Sequence, residues 1–264
     1  MTEDVRRTEN DVVLTITFTR DGKLNALTSD MIAALRNAAA DLGDRPDLRV
    51  LVIRAEGRYF TAGMDIEQTF ADGAVASAGS GTGPLRRGYR SLHLLFDELE
   101  AIEKPVVLAA HAPCWGVGLE LSASCDFRLA APATTFALPE VANLGVIPGS
   151  GGASRVTRLV GPHWGKWLAM AGEVVDAPLA LTMGLVHAVY PAEIFDEEVD
   201  RFVGRLARLP GDAVGLAKLA VDTAASVDRG TARDFDRVAN TVLLMSEEHR
   251  SLVRAFEERK NSRG

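Results

Sequence analysis

Residues 105–130, PVVLAAHAPCWGVGLELSASCDFRLA, constrain the fold more than any other stretch of the chain. Val106, Val107 and Leu108 form a short apolar run after a proline, the pattern of a buried strand. The chain then turns through His111 and Trp115 and meets Gly116 and Gly118. A helical pattern follows with Leu119 and Ala123 apolar, and residues 127–130 read as a second strand. One carboxylate, Glu120, sits just inside the helix start between Leu119 and Leu121. A charge among such neighbours is costly unless it is paired or used. The first N–H groups of a helix have no intrahelical acceptor, so the same place can receive an anion or an oxyanion.

Around this unit the chain alternates strand and helix signals. Residues 12–19, VVLTITFT, alternate apolar and polar and predict a half-buried strand. Thr28 or Ser29 caps a helix carrying Met31, Ile32, Leu35 and Leu42 at helical spacing. RVLVIRA (49–55) is an apolar strand, and YFTAGMDI (59–66) bends at Gly63. Residues 71–84 have the composition of a flexible loop that borders the bend, and residues 85–102 predict a helix. Beyond the central unit, residues 134–138 form a short strand before Pro139–Glu140, and PGSGG (148–152) is a turn into a helix broken at Gly161–Pro162. From residue 195 the signals are helical throughout, over 193–208, 212–227, 231–244 and 247–260. An α/β core of residues 1–195 and an all-helical part of residues 196–264 are therefore expected.

Composition removes several function classes. With 264 residues, 47% of them apolar, the chain can bury a full core. No apolar run approaches the ~20 residues of a membrane span, and the polar start MTEDVRRTEN is no signal peptide. A formal charge of −7 without a basic stripe argues against nucleic acid. Cys114 and Cys125 lack metal-site spacing, and the five histidines hold no HExxH pair, so no metal is expected. A cytoplasmic enzyme is the simplest reading.

KLNAL (23–27), YFTAGMDI (59–66), WGVGLELSASCDFRLA (115–130) and FALPEVANLGVIPGSGGASRV (136–156), in this order and before a helical C-terminus, resemble the crotonase (enoyl-CoA hydratase/isomerase) family. The resemblance implies an α/β fold, a spiral of ββα units, with C-terminal helices that assemble a homotrimer or a dimer of trimers. It implies an acyl-CoA thioester as substrate, with coenzyme A entering as part of that substrate and no separate cofactor. By position, the backbone N–H groups of Met64 and Val117 would form the oxyanion hole. Preorganised donors of this kind are each worth about 3 kcal/mol of barrier in other enzymes. Glu120 in GLEL and Glu140 in LPEV match the two glutamates of the hydratases. Two carboxylates facing one water can deprotonate it and protonate the α-carbon, and their repulsion raises one pKa. Lys23, Asn25, Ala26, Leu27, Ala62, Gly63, Asp65, Ile66, Gly116 and Lys218 match positions where relatives meet the substrate or its coenzyme A. Phe256 and Lys260 match a C-terminal helix that in relatives reaches a neighbouring ligand.

The chain departs from the family at His111–Ala112, where an Asn-Gly pair is usual, and at Val117, where a glycine is usual. Several residues also have plainer readings. Glu120 and Glu140 taken singly are helix-start acids. Asp65 reads as a residue that holds the bend, and His111 as either a substrate contact or a structural hydrogen bond. Trp164 and Trp167 read as core. The expectation is an enoyl-CoA hydratase. Its rivals are an isomerase, dehydratase or lyase on the same site, a serine hydrolase, and a non-catalytic binding protein. No G-x-S-x-G elbow supports the hydrolase.

Overall fold

The computed structural model describes residues 4–71 and 82–262. Most of the expected 71–84 loop lies outside the described residues. The chain forms two compact units, the first reaching to Ala207 and the second beginning at Arg208.

In the first unit a six-stranded sheet runs in the order β1(Val5–Asn10), β2(Val13–Phe18), β3(Val50–Ala55), β4(Val106–Ala110), β6(Phe127–Ala130), β9(Ala188–Val189). β1 and β2 are antiparallel, and the remaining pairs are parallel. A smaller sheet joins β5(Cys114–Trp115), β7(Thr135–Ala137) and β8(Val175–Asp176). Each turn of the chain visits the large sheet, then the small one, then a helix. β4 and β5 lead to α4(Val117–Ala123), and β6 and β7 lead to α5(Glu140–Leu144). β3 leads, through a bridge between Thr61 and Cys114, to α2(Ile66–Ala71). This is the expected ββα spiral.

Strand alternation divides the core. Leu51, Ile53, Val106 and Leu108 face a large cluster shared with α1(Ser29–Asp44), α3(Gly83–Ala101) and α4. Val50, Val52, Val107 and Ala109 point the other way, onto Phe195, Val199 and Val203 of α8(Phe195–Ala207). A parallel strand covered on both faces reads as a continuous apolar run, as β4 does. The covering helix α8 belongs to the first unit, so the expected division at residue 195 falls one helix early. The helical signal changes at 195, but burial of the sheet's second face does not end until Ala207.

β1 escaped the sequence reading. VRRTEN is polar because only Val5 is buried, and the strand is held by pairing with β2 at the sheet edge. Thr28 caps α1 as expected, its Oγ1 accepting from Met31 N at 3.2 Å. In α6(Thr157–Ala169) the backbone leaves helical geometry at Gly161, the expected break. Trp164 packs on the core, whereas Trp167 is 44% exposed, which corrects its reading as a core residue. α7(Ala177–Thr182) then leads to β9. The second unit consists of α9(Gly211–Ala224), α10(Arg229–Leu244) and α11(Glu247–Asn261).

Candidate active site

Three backbone segments are fastened side by side. Ala62 N donates to Leu24 O (3.0 Å), Leu27 N to Gly63 O (2.8 Å) and Asp65 N to Leu27 O (2.9 Å). On the other side Phe60 N donates to Pro113 O (2.9 Å) and Trp115 N to Thr61 O (3.0 Å). Thr61, wholly buried, joins the two seams: its hydroxyl donates to Asn25 O (2.7 Å) and accepts from Gly63 N (3.1 Å). Gly118 has no room for a side chain, because a Cβ there would collide with Thr61. The bend at Gly63 is thereby pressed against the start of α4. A Cβ on Gly63 would lie 3.8 Å from Val117 N and 3.4 Å from Trp115 O.

Met64 N and Val117 N stand at this junction, and among the described residues neither donates to a backbone acceptor. Val117 opens α4, where the helix dipole adds positive potential. Both side chains are half-buried and pack on the core. Two unsatisfied N–H groups at one place can hold the oxygen of a carbonyl that gains negative charge.

Glu120 lies one turn into α4 and is 1% exposed. Its Oε1 accepts from Ser150 N and Gly152 N, each at 2.8 Å. Burial raises its pKa, and these two N–H groups offset only part of that rise. Glu140 begins α5, and its Oε1 lies 3.0 Å from where a Cβ on Gly116 would stand. Glu140 Oε2 is buried without a hydrogen-bond partner among the described residues. Desolvation, with a lesser contribution from the charge of Glu120, pushes Glu140 up to about 7. The two carboxyls therefore differ. Glu120 Oε1 has two backbone N–H donors from the downstream turn, whereas Glu140 Oε2 has none among the described residues.

The remaining expected residues separate into groups. Gly63 and Gly116 form the junction itself. Ala62 beside it and Ala26 in the adjoining segment are half-buried, and Ile66 is 41% exposed. Asn25 and Leu27 are wholly buried. Asn25 Nδ2 donates to Glu56 O (2.8 Å) and Tyr59 O (2.7 Å), and its Oδ1 accepts from Arg20 N (2.7 Å). Its side chain is committed to the scaffold, and that of Leu27 is buried in the core. The Asp65 side chain is also bonded into the scaffold. It caps α2 through Gln68 N (3.0 Å) and pairs with Arg20 (2.8 Å), and these bonds lower its pKa. Lys23 is exposed and pairs with Glu67 at 3.0 Å. Lys218 lies on α9 of the second unit. His111 Nε2 meets Gly57 O at 2.8 Å, a structural bond.

The sequence of the Enoyl-CoA hydratase/isomerase family matches this chain over residues 8–263. The chain belongs to the enoyl-CoA hydratase/isomerase family. It is 31% identical over 261 residues to the crotonyl-CoA hydratase of Syntrophomonas wolfei, covering 98% of this chain and 97% of that one. It is 35% identical over 237 residues to the carnitinyl-CoA dehydratase of Salmonella arizonae, covering 89% and 83%. The crystal structure of enoyl-CoA hydratase from Bacillus anthracis superposes with a TM-score of 0.88 at 27% identity, covering 97% of each chain.

Within this family frame, three site groups were not singled out from the sequence. Thr61 gave no signal, because its role depends on a contact across two seams. Ser150 and Gly152 were read only as a turn before a helix. The available signal was the excess of small residues in PGSGG, which lets backbone N–H groups approach a side chain.

Proposed function

We propose that this protein is an enoyl-CoA hydratase, adding water across the 2,3-double bond of an enoyl-CoA thioester. The observation that carries the reading is the meeting of two buried carboxyls, differently hydrogen-bonded and both raised in pKa by burial, beside two unpaired N–H groups. The thioester oxygen accepts hydrogen bonds from Met64 N and Val117 N, which draws electron density from the β-carbon. A water between the carboxyls loses a proton to Glu120 as its oxygen bonds to the β-carbon. The resulting enolate takes the proton of Glu140 at the α-carbon. Glu120 then holds one proton more and Glu140 one fewer, and exchange through water restores the starting state. Ala26, Ala62, Ile66 and Lys23 supply the rim for the coenzyme A portion in this proposal, and no cofactor beyond the substrate's own coenzyme A takes part.

Incubation with 2-enoyl-CoA thioesters of graded length is expected to bleach the enoyl absorbance and add the mass of one water. A double bond that migrates without gain of mass would overturn hydration in favour of isomerisation. The dehydration of a 3-hydroxyacyl-CoA is the same reaction reversed, and the likeness to a carnitinyl-CoA dehydratase favours testing it as the second reading.

The proposal extends to assembly as a homotrimer or a dimer of trimers. It is supported by large apolar side chains on α10 and α11 that stay open to solvent, among them Val242 and Phe256, 59% and 64% exposed. Light scattering at micromolar concentration is expected to give three or six times the 28.3 kDa chain mass. A monomer mass would sink this part. No helix among the described residues is long and apolar enough to cross a membrane, and a cytoplasmic workplace belongs to the same proposal.

A further inference from the structure

The turn that holds Glu120 is itself held from behind. The two N–H groups on Glu120 belong to the peptides Gly149–Ser150 and Gly151–Gly152. A peptide unit is planar, so fixing its carbonyl aims its N–H. The Gly149 carbonyl accepts from His93 Nε2 at 2.9 Å, and the Gly151 carbonyl accepts from Arg155 N at 2.6 Å. Arg155 Nη1 reaches His93 Nδ1 at 3.2 Å and the Ser150 carbonyl at 3.4 Å. A guanidinium only donates, so Nδ1 accepts and the ring proton sits on Nε2, facing Gly149. His93 is thus neutral in one tautomer. Arg155 is 4% exposed and pairs with Asp97 and, at 2.8 Å, with Glu100. Tyr89, His93, Asp97 and Glu100 stand on one face of α3. There is no slack at Gly149, where a Cβ would come within 2.9 Å of the Tyr89 ring.

We propose that His93 is a positioning residue for hydration: by fixing the Gly149–Ser150 peptide it aims the Ser150 N–H at Glu120, the carboxyl that receives the water's proton, and so favours its anion. The inference rests on the hydratase reading for its kinetic part. The groups that face His93 are the Arg155 guanidinium and the Gly149 carbonyl, with Asp97 and Glu100 behind the guanidinium. Glu120 lies beyond the peptide, within electrostatic reach of the ring.

Two variants separate aiming from packing. His93→Leu removes both bonds, whereas His93→Gln keeps an N–H donor for the Gly149 carbonyl. In His93→Leu, kcat is expected to fall about 10- to 100-fold, the scale of a small misplacement of a catalytic group, with KM near that of the wild type. The acid limb of its kcat profile is expected to move to higher pH, and His93→Gln is expected to recover most of both. Infrared difference spectra against Glu120→Gln follow the Glu120 carboxyl without substrate, and in His93→Leu that band is expected to titrate at higher pH. An unmoved band in a folded His93→Leu protein overturns the proposal. So does equal loss of kcat in both variants with no shift of the acid limb. Should His93→Leu fail to fold, His93→Asn, too short to reach the Gly149 carbonyl, carries the same test. A wild-type protein that hydrates nothing would sink the hydratase reading alone, because the infrared arm still decides whether His93 aims the peptide.

Discussion

Glu120→Gln and Glu140→Gln are each expected to lower the hydration rate about 10²–10⁴-fold or more, the usual worth of general acid–base help. Glutamine preserves size and hydrogen bonding but removes the proton site. Thioester binding is expected to survive in both, because the oxyanion donors Met64 N and Val117 N are backbone groups. The double variant is expected to lose less than the product of the singles, since both carboxyls act on one water. Stability gives a second readout for Glu140. Its folded pKa, about 7, lies above the ordinary 4.5. Between these values the unfolded chain has released the proton and the native state retains it. Stability from this group therefore falls as pH rises through the window and levels off above about 7. Relative to the wild type, Glu140→Gln is expected to gain stability between pH 5 and pH 8 in denaturant melts. Equal differences at both pH values would mean that Glu140 is not held protonated, and wild-type hydration rates in both single variants would end the two-carboxylate mechanism.

Gly116→Ala is expected to lower both stability and activity. Gly116 has φ 56° and ψ −127°, a conformation that strains any L side chain. A methyl there would press on Glu140 Oε1 at 3.0 Å and lies 3.6 Å from Gly63 Cα. The strain costs about 1–3 kcal/mol. The larger effect is on rate, because the residue lies between the oxyanion donor Val117 and the acid Glu140. A displacement on the order of 1 Å costs about 10²-fold, so kcat is expected to fall at least that far. Gly145→Ala is the control. Gly145 also has positive φ, 64°, but open space surrounds its Cβ position. It is expected to lower Tm with activity near that of the wild type. Equal activity loss in the two variants would show that backbone strain, not contact with Glu140, decides the outcome.

Local pattern was enough for most elements. The alternation in VVLTITFT, the cap at Thr28, the apolar run after Pro105 and the break at Gly161 each act within a few residues, and each is found where the pattern places it. β1 was not legible because pairing with β2, not its own polar residues, makes it a strand. α8 was legible as a helix but not as part of the core, since amphipathicity does not say which sheet face a helix will cover. The site divides in the same way. GLEL and LPEV mark two acids by neighbour and spacing, but neither run says how each carboxyl is hydrogen-bonded. That difference arises because two N–H groups, thirty and more residues downstream, fold onto Glu120, while Glu140 Oε2 is buried without a partner among the described residues. Asn25, Leu27 and Asp65 lie near the site in sequence, yet tertiary packing commits them to the scaffold. The sequence by itself determined most of the helices, the strands with a one-sided or continuous apolar pattern, and the positions of the two carboxyls. Only the tertiary structure decided the proton affinities and the aim of the peptides around them, because desolvation and hydrogen-bond direction depend on groups brought together across the whole first unit.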